Sequence, residues 1–221
     1  MSSINEQMVR EYFEMLGYFV LQPCKYVVPG RSKTPEEEVD LLAYRPGSDE
    51  CRMPNRLVWS TREFRFVNKA LIRVCGWHTE RFSVARLLQS PEILRFAKEE
   101  SVRAASRLLG PGPAAKILCL PQLPASETLK GKTLETLRAH GVDGVLPFPV
   151  MVREMALRVN VQRNYEKSDV LQILRILKAY GFLTPDLQLP LFGRRARRPS
   201  TTAGGLTDAA ANPRPDEPPE T

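Results

Sequence analysis

At 221 residues the chain suits one domain whose core needs no disulfide or metal staple. Its four cysteines stand far apart with no C-x-x-C pair, and only two histidines accompany them, which argues against structural zinc and for reduced thiols in a cytoplasmic protein. Met1 to Gln7 is polar, unlike a secretory leader, and no apolar run suits a membrane, while a formal net charge of +7 favours a polyanionic partner through phosphate neutralisation.

Residues 4–16, "INEQMVREYFEML", place Ile4, Met8, Tyr12 and Leu16 along one face with Val9 and Phe13 beside them, an amphipathic helix that Gly17 ends. "YFVLQ" continues as a short strand. "EEEVDLLAYRPG" predicts a strand closing on a Pro-Gly turn. "RLVWS" is a second extended segment and residues 70–76 a third. Helices resume after Ser83. Ser90-Pro91-Glu92 predicts an N-terminus with a cap, a proline and an acid at the positive dipole end, and Gly110-Pro111 stops that helix.

"AAKILCL" (114–120) is a compact apolar strand. "SETLKGKTLETLRAHG" is helical up to Gly141, "VDGVLPF" is another buried strand, and 149–160 is a helix. In "SDVLQILRILKAYG" (168–181), Val170, Ile173, Leu174 and Leu177 recur at helical spacing, predicting one more core-facing helix. Buried strands alternating with helices argue for a mixed sheet flanked by helices. From about Thr184 the chain becomes rich in Pro, Arg, Ala and Gly, too poor in large apolar groups to offset ordering entropy. The expected organisation is therefore a domain over 1–183 and a disordered tail over 184–221. That tail holds five arginines against four acids over 193–221, so the basic excess belongs to the folded part as well.

One strand carries an odd pair. In "ALIRVCGWHTERF" (70–82) strand alternation sets Leu71, Arg73 and Cys75 on one face and Ile72, Val74 and Gly76 on the other. An arginine and a cysteine thus point together out of an otherwise apolar strand.

The order of helix, three antiparallel-leaning strands, helix and strand resembles the core of the PD-(D/E)XK nuclease superfamily, which includes restriction endonucleases and Holliday-junction resolvases. Three stretches carry the resemblance, over roughly residues 1–150. "INEQMVREYFEMLGYFV" is similar to the family's first helix, which bears a glutamate near its start, here Glu6. "EVDLLAYRPG" resembles the strand with the motif aspartate, here Asp40. "IRVCGWH" resembles the next strand, whose pattern is acid, any residue, lysine.

That resemblance implies phosphodiester hydrolysis by a divalent metal that polarises the phosphoryl oxygen and helps ionise water. Two carboxylates would hold Mg²⁺, a hard cation, and the lysine would steer the water and offset transition-state charge. Asp40 supplies one carboxylate and metal ligand, with Glu6 as an accessory. The third motif departs from the pattern. Arg73 stands where the second carboxylate belongs and Cys75 where the lysine belongs. Arginine ligates no cation, and cysteine is a soft ligand without an ammonium charge.

Rescue would need Lys69 or Lys25 reaching in, or Glu63 supplying the acid; "EFR" at 63–65 mimics acid-x-base. The expected protein is a degenerate nuclease fold that binds nucleic acid, DNA more than RNA, and needs no cofactor. Alternatives are an active Mg²⁺-dependent endonuclease with a rearranged site, a protein-interaction module, or an unrelated α/β domain. An Arg73–Asp40 ion pair fits every inactive reading.

Trp77 and His78 are either a packing anchor with a hydrogen-bonded neighbour or a ring stacked on an unpaired base; with Lys69 they are the candidate nucleic-acid contacts. His140, at a helix end, suits a surface position. Cys24, Cys51 and Cys119 are structural or merely tolerated. Gln188-Leu189-Pro190-Leu191-Phe192 resembles the Gln-Leu-x-Leu-Phe pentapeptide with which replication and repair proteins bind the sliding clamp, on a tether of the kind such motifs need. The same apolar residues could instead fold back over the domain, and the arginines of 194–198 suit phosphate contacts or a solvated charge run.

Overall fold

The first helix, α1 (Ile4–Met15), forms because Val9, Tyr12 and Phe13 recur at helical spacing and bury together. Gly17 at φ +85° lets the chain turn back. The Tyr18 N–H then bonds the Phe13 carbonyl and the Gly17 N–H that of Glu14, a Schellman closure. The computed structural model describes residues 4–24, 30, 33–47 and 52–183, and Met1–Gln188 forms one compact unit. Residues 184–221, and with them the expected tail and Gln188, Leu189, Leu191 and Phe192, lie outside the described residues, as do Lys25 and Cys51.

A five-stranded sheet runs in the order β1 (Phe19–Leu21), β2 (Leu41–Tyr44), β3 (Lys69–Val74), β4 (Ala115–Leu120), β5 (Gly144–Pro147). The first three strands pair antiparallel and the last two add in parallel. Parallel neighbours need crossovers. Between β3 and β4 these are α3 (Val84–Gln89), a 3₁₀ segment Pro91–Ala97 and α4 (Glu99–Leu109); between β4 and β5 the crossover is α5 (Glu127–Ala139). The fold is thus α/β, a mixed sheet flanked by helices, as expected.

Alternation sorts the core into two layers. Ala70, Ile72, Ile117, Cys119 and Leu146 face α1, α6 (Phe148–Arg158) and α7 (Asp169–Ala179). Leu71, Cys75, Leu118, Leu120 and Val145 face α3, α4 and α5. On the first side, Glu154 of α6 accepts hydrogen bonds from the Tyr12 hydroxyl and from the hydroxyl and N–H of Thr61. That carboxylate ties α1 and α6 to the short helix α2 (Thr61–Phe64).

Four expectations are corrected. Residues 35–38 form a 3₁₀ turn rather than strand, because Pro35 starts a helical turn and the Glu37 carboxylate accepts the Thr34 N–H at 2.7 Å; the strand begins only at Leu41. "RLVWS" does not join the first three strands. Val58 bridges Val145 at the far edge of the sheet, where Trp59 is fully buried and donates from Nε1 to the Arg56 carbonyl at 2.6 Å. The helix expected from Ser90 is broken, since Lys98 is extended (φ −70°, ψ 153°) between the 3₁₀ segment and α4. On α7 only Val170 and Leu174 are buried, whereas Ile173 and Leu177 remain 55% and 36% exposed. The apolar stripe there is wider than the face that α1 and α6 cover. Among the described residues no helix is long and apolar enough to cross a membrane.

Candidate functional site

Asp40 sits one residue before β2, and its N–H bonds the Ile72 carbonyl at 3.0 Å. Because Leu41 pairs with Ile72 in the antiparallel ladder, the register carries Asp40 opposite Arg73. The Arg73 guanidinium donates from Nη1 to Asp40 Oδ1 at 3.0 Å and to the Glu38 carbonyl at 3.3 Å. The Val74 N–H donates to Asp40 Oδ2 at 2.7 Å. Both carboxylate oxygens are therefore engaged, and both side chains of the pair are largely buried.

Burial pushes the Asp40 carboxyl above its ordinary range, against the pull of Arg73 and of the Val74 hydrogen bond. Smaller influences come from Glu6, which pushes the same way, and Lys33, which pushes the other. The Glu6 carboxylate also accepts from Gln22 Nε2 at 2.9 Å. Two residues upstream, Glu38 is buried. Its Oε1 meets Arg95 at 3.4 Å and its Oε2 has no hydrogen-bond partner.

Cys75 shares the strand face with Arg73, but it is packed in the core against Leu71, Phe82 and Leu118. Burial pushes its thiol up to about 12. A buried, protonated thiol takes the place of the expected lysine and does none of its work.

The rescuing groups are elsewhere. Lys69 starts β3, at the opposite end of the strand from Arg73, and its Nζ donates to the Pro111 carbonyl at 2.7 Å. Glu63 lies in α2, where its carboxylate accepts from the Ser60 N–H and hydroxyl as a helix cap; "EFR" is helical, so its likeness to acid-x-base has no strand behind it. Lys25 falls outside the described residues.

Mg²⁺ does not fit this donor set. The one carboxylate on the motif position already neutralises a guanidinium held 3.0 Å away, and that cation would repel a second. Among the described residues no three carboxylate, thiol or imidazole groups gather as a metal site.

His78 is exposed, and its Nε2 lies 2.8 Å from Asn5 Oδ1 while its ring meets Phe148 edge-on. Asn5 also donates to the Gly76 carbonyl at 3.0 Å, which binds the start of α1 to the end of β3. A Cβ on Gly76 would run into the Asn5 side chain, so glycine is what lets the helix come this close. Trp77 stacks on Phe82 and lies under the Arg86 guanidinium. His140 bonds the Thr136 carbonyl at the end of α5.

Sequence reasoning missed Glu38, Arg95 and Arg86. The first stood in a run of three glutamates that looks like a solvated face; the two arginines approach their partners only through tertiary packing. No protein-family model, curated protein or solved structure matches the chain.

Proposed function

We propose that the chain is a catalytically degenerate relative of the PD-(D/E)XK nucleases, a cytoplasmic protein that binds nucleic acid, DNA in preference to RNA, without cutting it. What supports kinship is the order of helix, antiparallel three-strand meander, helical crossover and parallel strand. The observation that carries the loss of chemistry is the Arg73 guanidinium on Asp40. Binding is supported by the net charge of +7, which a polyanion relieves.

Gln188-Leu189-Pro190-Leu191-Phe192 would give the same protein a second partner, the sliding clamp, through a short extended segment whose leucines and phenylalanine fill an apolar pocket. That tether would bring a nucleic-acid-binding domain to sites of synthesis and repair.

The test is equilibrium binding of labelled duplex DNA, single-stranded DNA and RNA over a salt series. The expected result is affinity falling linearly in log–log form, by about 0.9 per duplex phosphate neutralised, with DNA bound more tightly than RNA. Absence of binding to every probe at low salt overturns the proposal in favour of a protein-interaction module.

A further inference from the structure

Large apolar side chains scattered singly on a surface need no explanation, whereas a contiguous exposed group marks an interaction site. The β1 side of the sheet carries such a group. Phe19 stands opposite Tyr44 in the β1–β2 register, and Tyr44 opposite Lys69 in the β2–β3 register, so the three side chains project in one row from one face. Leu21, two residues on, shares that face of β1. Further along the same face, Leu42 and Leu71 are buried in the layer that Ala105 of α4 joins. The row lies outside that cover: Phe19 is 71%, Leu21 48% and Tyr44 40% exposed. Among the described residues neither aromatic ring of the row meets a second ring or a cation.

The same end of the sheet is basic. Arg45 follows Tyr44, and its N–H bonds the Asn68 carbonyl at 2.8 Å. Its guanidinium lies over the Tyr18 ring, 5.2 Å from the centroid, and donates to the carbonyl of exposed Arg65 at 2.5 Å. Lys69 gives one N–H to the Pro111 carbonyl at 2.7 Å. Among the described residues no carboxylate pairs with Arg45, Arg65 or Lys69, and Glu63 is committed to capping Ser60. Over residues 44–69 the sequence sets Arg45, Arg52, Arg56, Arg62, Arg65 and Lys69 against Asp49, Glu50 and Glu63.

We propose that Phe19 and Tyr44 form a stacking platform for single-stranded DNA, with Arg45 and Lys69 as its phosphate contacts. This rests on the nucleic-acid reading above and moves the contact surface from the motif end of β3 to its start. Tyr44 lies four residues along the chain from Asp40, about 13 Å in an extended strand. Two exposed rings on neighbouring strands offer π-faces to unpaired bases, which a duplex keeps stacked on one another; such stacking tolerates any sequence. Charge decides against a second copy of the chain on this face, since a second copy brings the same cations with it. A polyanion neutralises them.

The test measures the affinity of the full chain for a labelled oligothymidylate and for a blunt duplex of the same length. Phe19→Ala and Tyr44→Ala should each weaken the single strand about tenfold and leave the duplex unchanged. Both side chains are exposed, so the fold is kept, as an unshifted thermal midpoint certifies. Tyr44→Trp, which retains a π-face, should keep the parental affinity. Lys69→Gln should lower the log–log salt slope on the single strand by about 0.7. Single-strand binding indifferent to both alanine substitutions, or a loss shared equally by the duplex, overturns the platform while sparing the nucleic-acid reading. Absence of binding to both probes at low salt overturns the platform together with that reading. A parent that sediments as a dimer, and that Phe19→Ala returns to the monomer, overturns the platform in favour of a second copy on this face.

Discussion

Asp40 is held between opposing influences. Burial raises its pKa, Arg73 and the Val74 N–H lower it, and the first outweighs the others. A carboxyl whose folded pKa exceeds its unfolded one contributes fully below the unfolded value, and that contribution is lost as pH rises through the folded value. Arg73→Leu removes the strongest lowering influence and leaves the carboxylate buried with one N–H. We expect it to cost about 3 kcal/mol near neutral pH. The deficit against the parent should shrink as pH falls through the raised titration of Asp40 and be least well below about 3.9, where the carboxyl is neutral in both the folded and the unfolded chain. Urea unfolding of both proteins across that range checks it; a deficit independent of pH would mean that Asp40's charge does not govern the effect. This pair was expected because the motif resemblance set Asp40 and Arg73 at facing sites, although alternation put Arg73 on the same buried face as Leu71 and Cys75. Glu38 with Arg95, 57 residues apart, and Trp77 with Arg86 were not, since no local pattern encodes which loop a crossover packs against.

At the scale of elements, the helices and most strands followed from period and punctuation, and the errors share a cause. "EEEVDLLAYRPG" has apolar residues enough for a longer strand, but Pro35 and the Glu37 cap commit its first turn to a 3₁₀ helix. "RLVWS" has strand-like composition, yet its place at the β5 edge depends on Trp59 finding a cavity. That cavity exists because Gly144 has no side chain. A Cβ there would lie 2.5 Å from the indole, which is fully buried. Gly144→Ala should therefore destabilise by about 2–3 kcal/mol through overpacking, seen as a lowered thermal midpoint. An unchanged midpoint would show that Trp59 can shift freely. The α7 stripe of Ile173, Ile176 and Leu177 shows the converse limit: periodicity located the helix, but the number of neighbours decided how much of its apolar face was covered.

Across the whole molecule, strands alternating with helices made a mixed sheet with helices on both sides predictable. Less local was the fate of the polar pair on β3. Its strand face was correct, but Cys75 is buried in the apolar cluster that includes Phe82 and Leu118 while Arg73 reaches Asp40. Installing an acid-x-lysine pattern by Arg73→Glu with Cys75→Lys would therefore bury an ammonium in an apolar layer. In the proposed degenerate site Arg73 occupies the electrostatic place of a metal. That role is tested most directly by incubating the protein with single-stranded, duplex and branched DNA in Mg²⁺ and in Mn²⁺, with binding measured alongside. Bound, intact DNA is expected in both metals; cleavage that disappears in Asp40→Ala would overturn the proposed loss of chemistry.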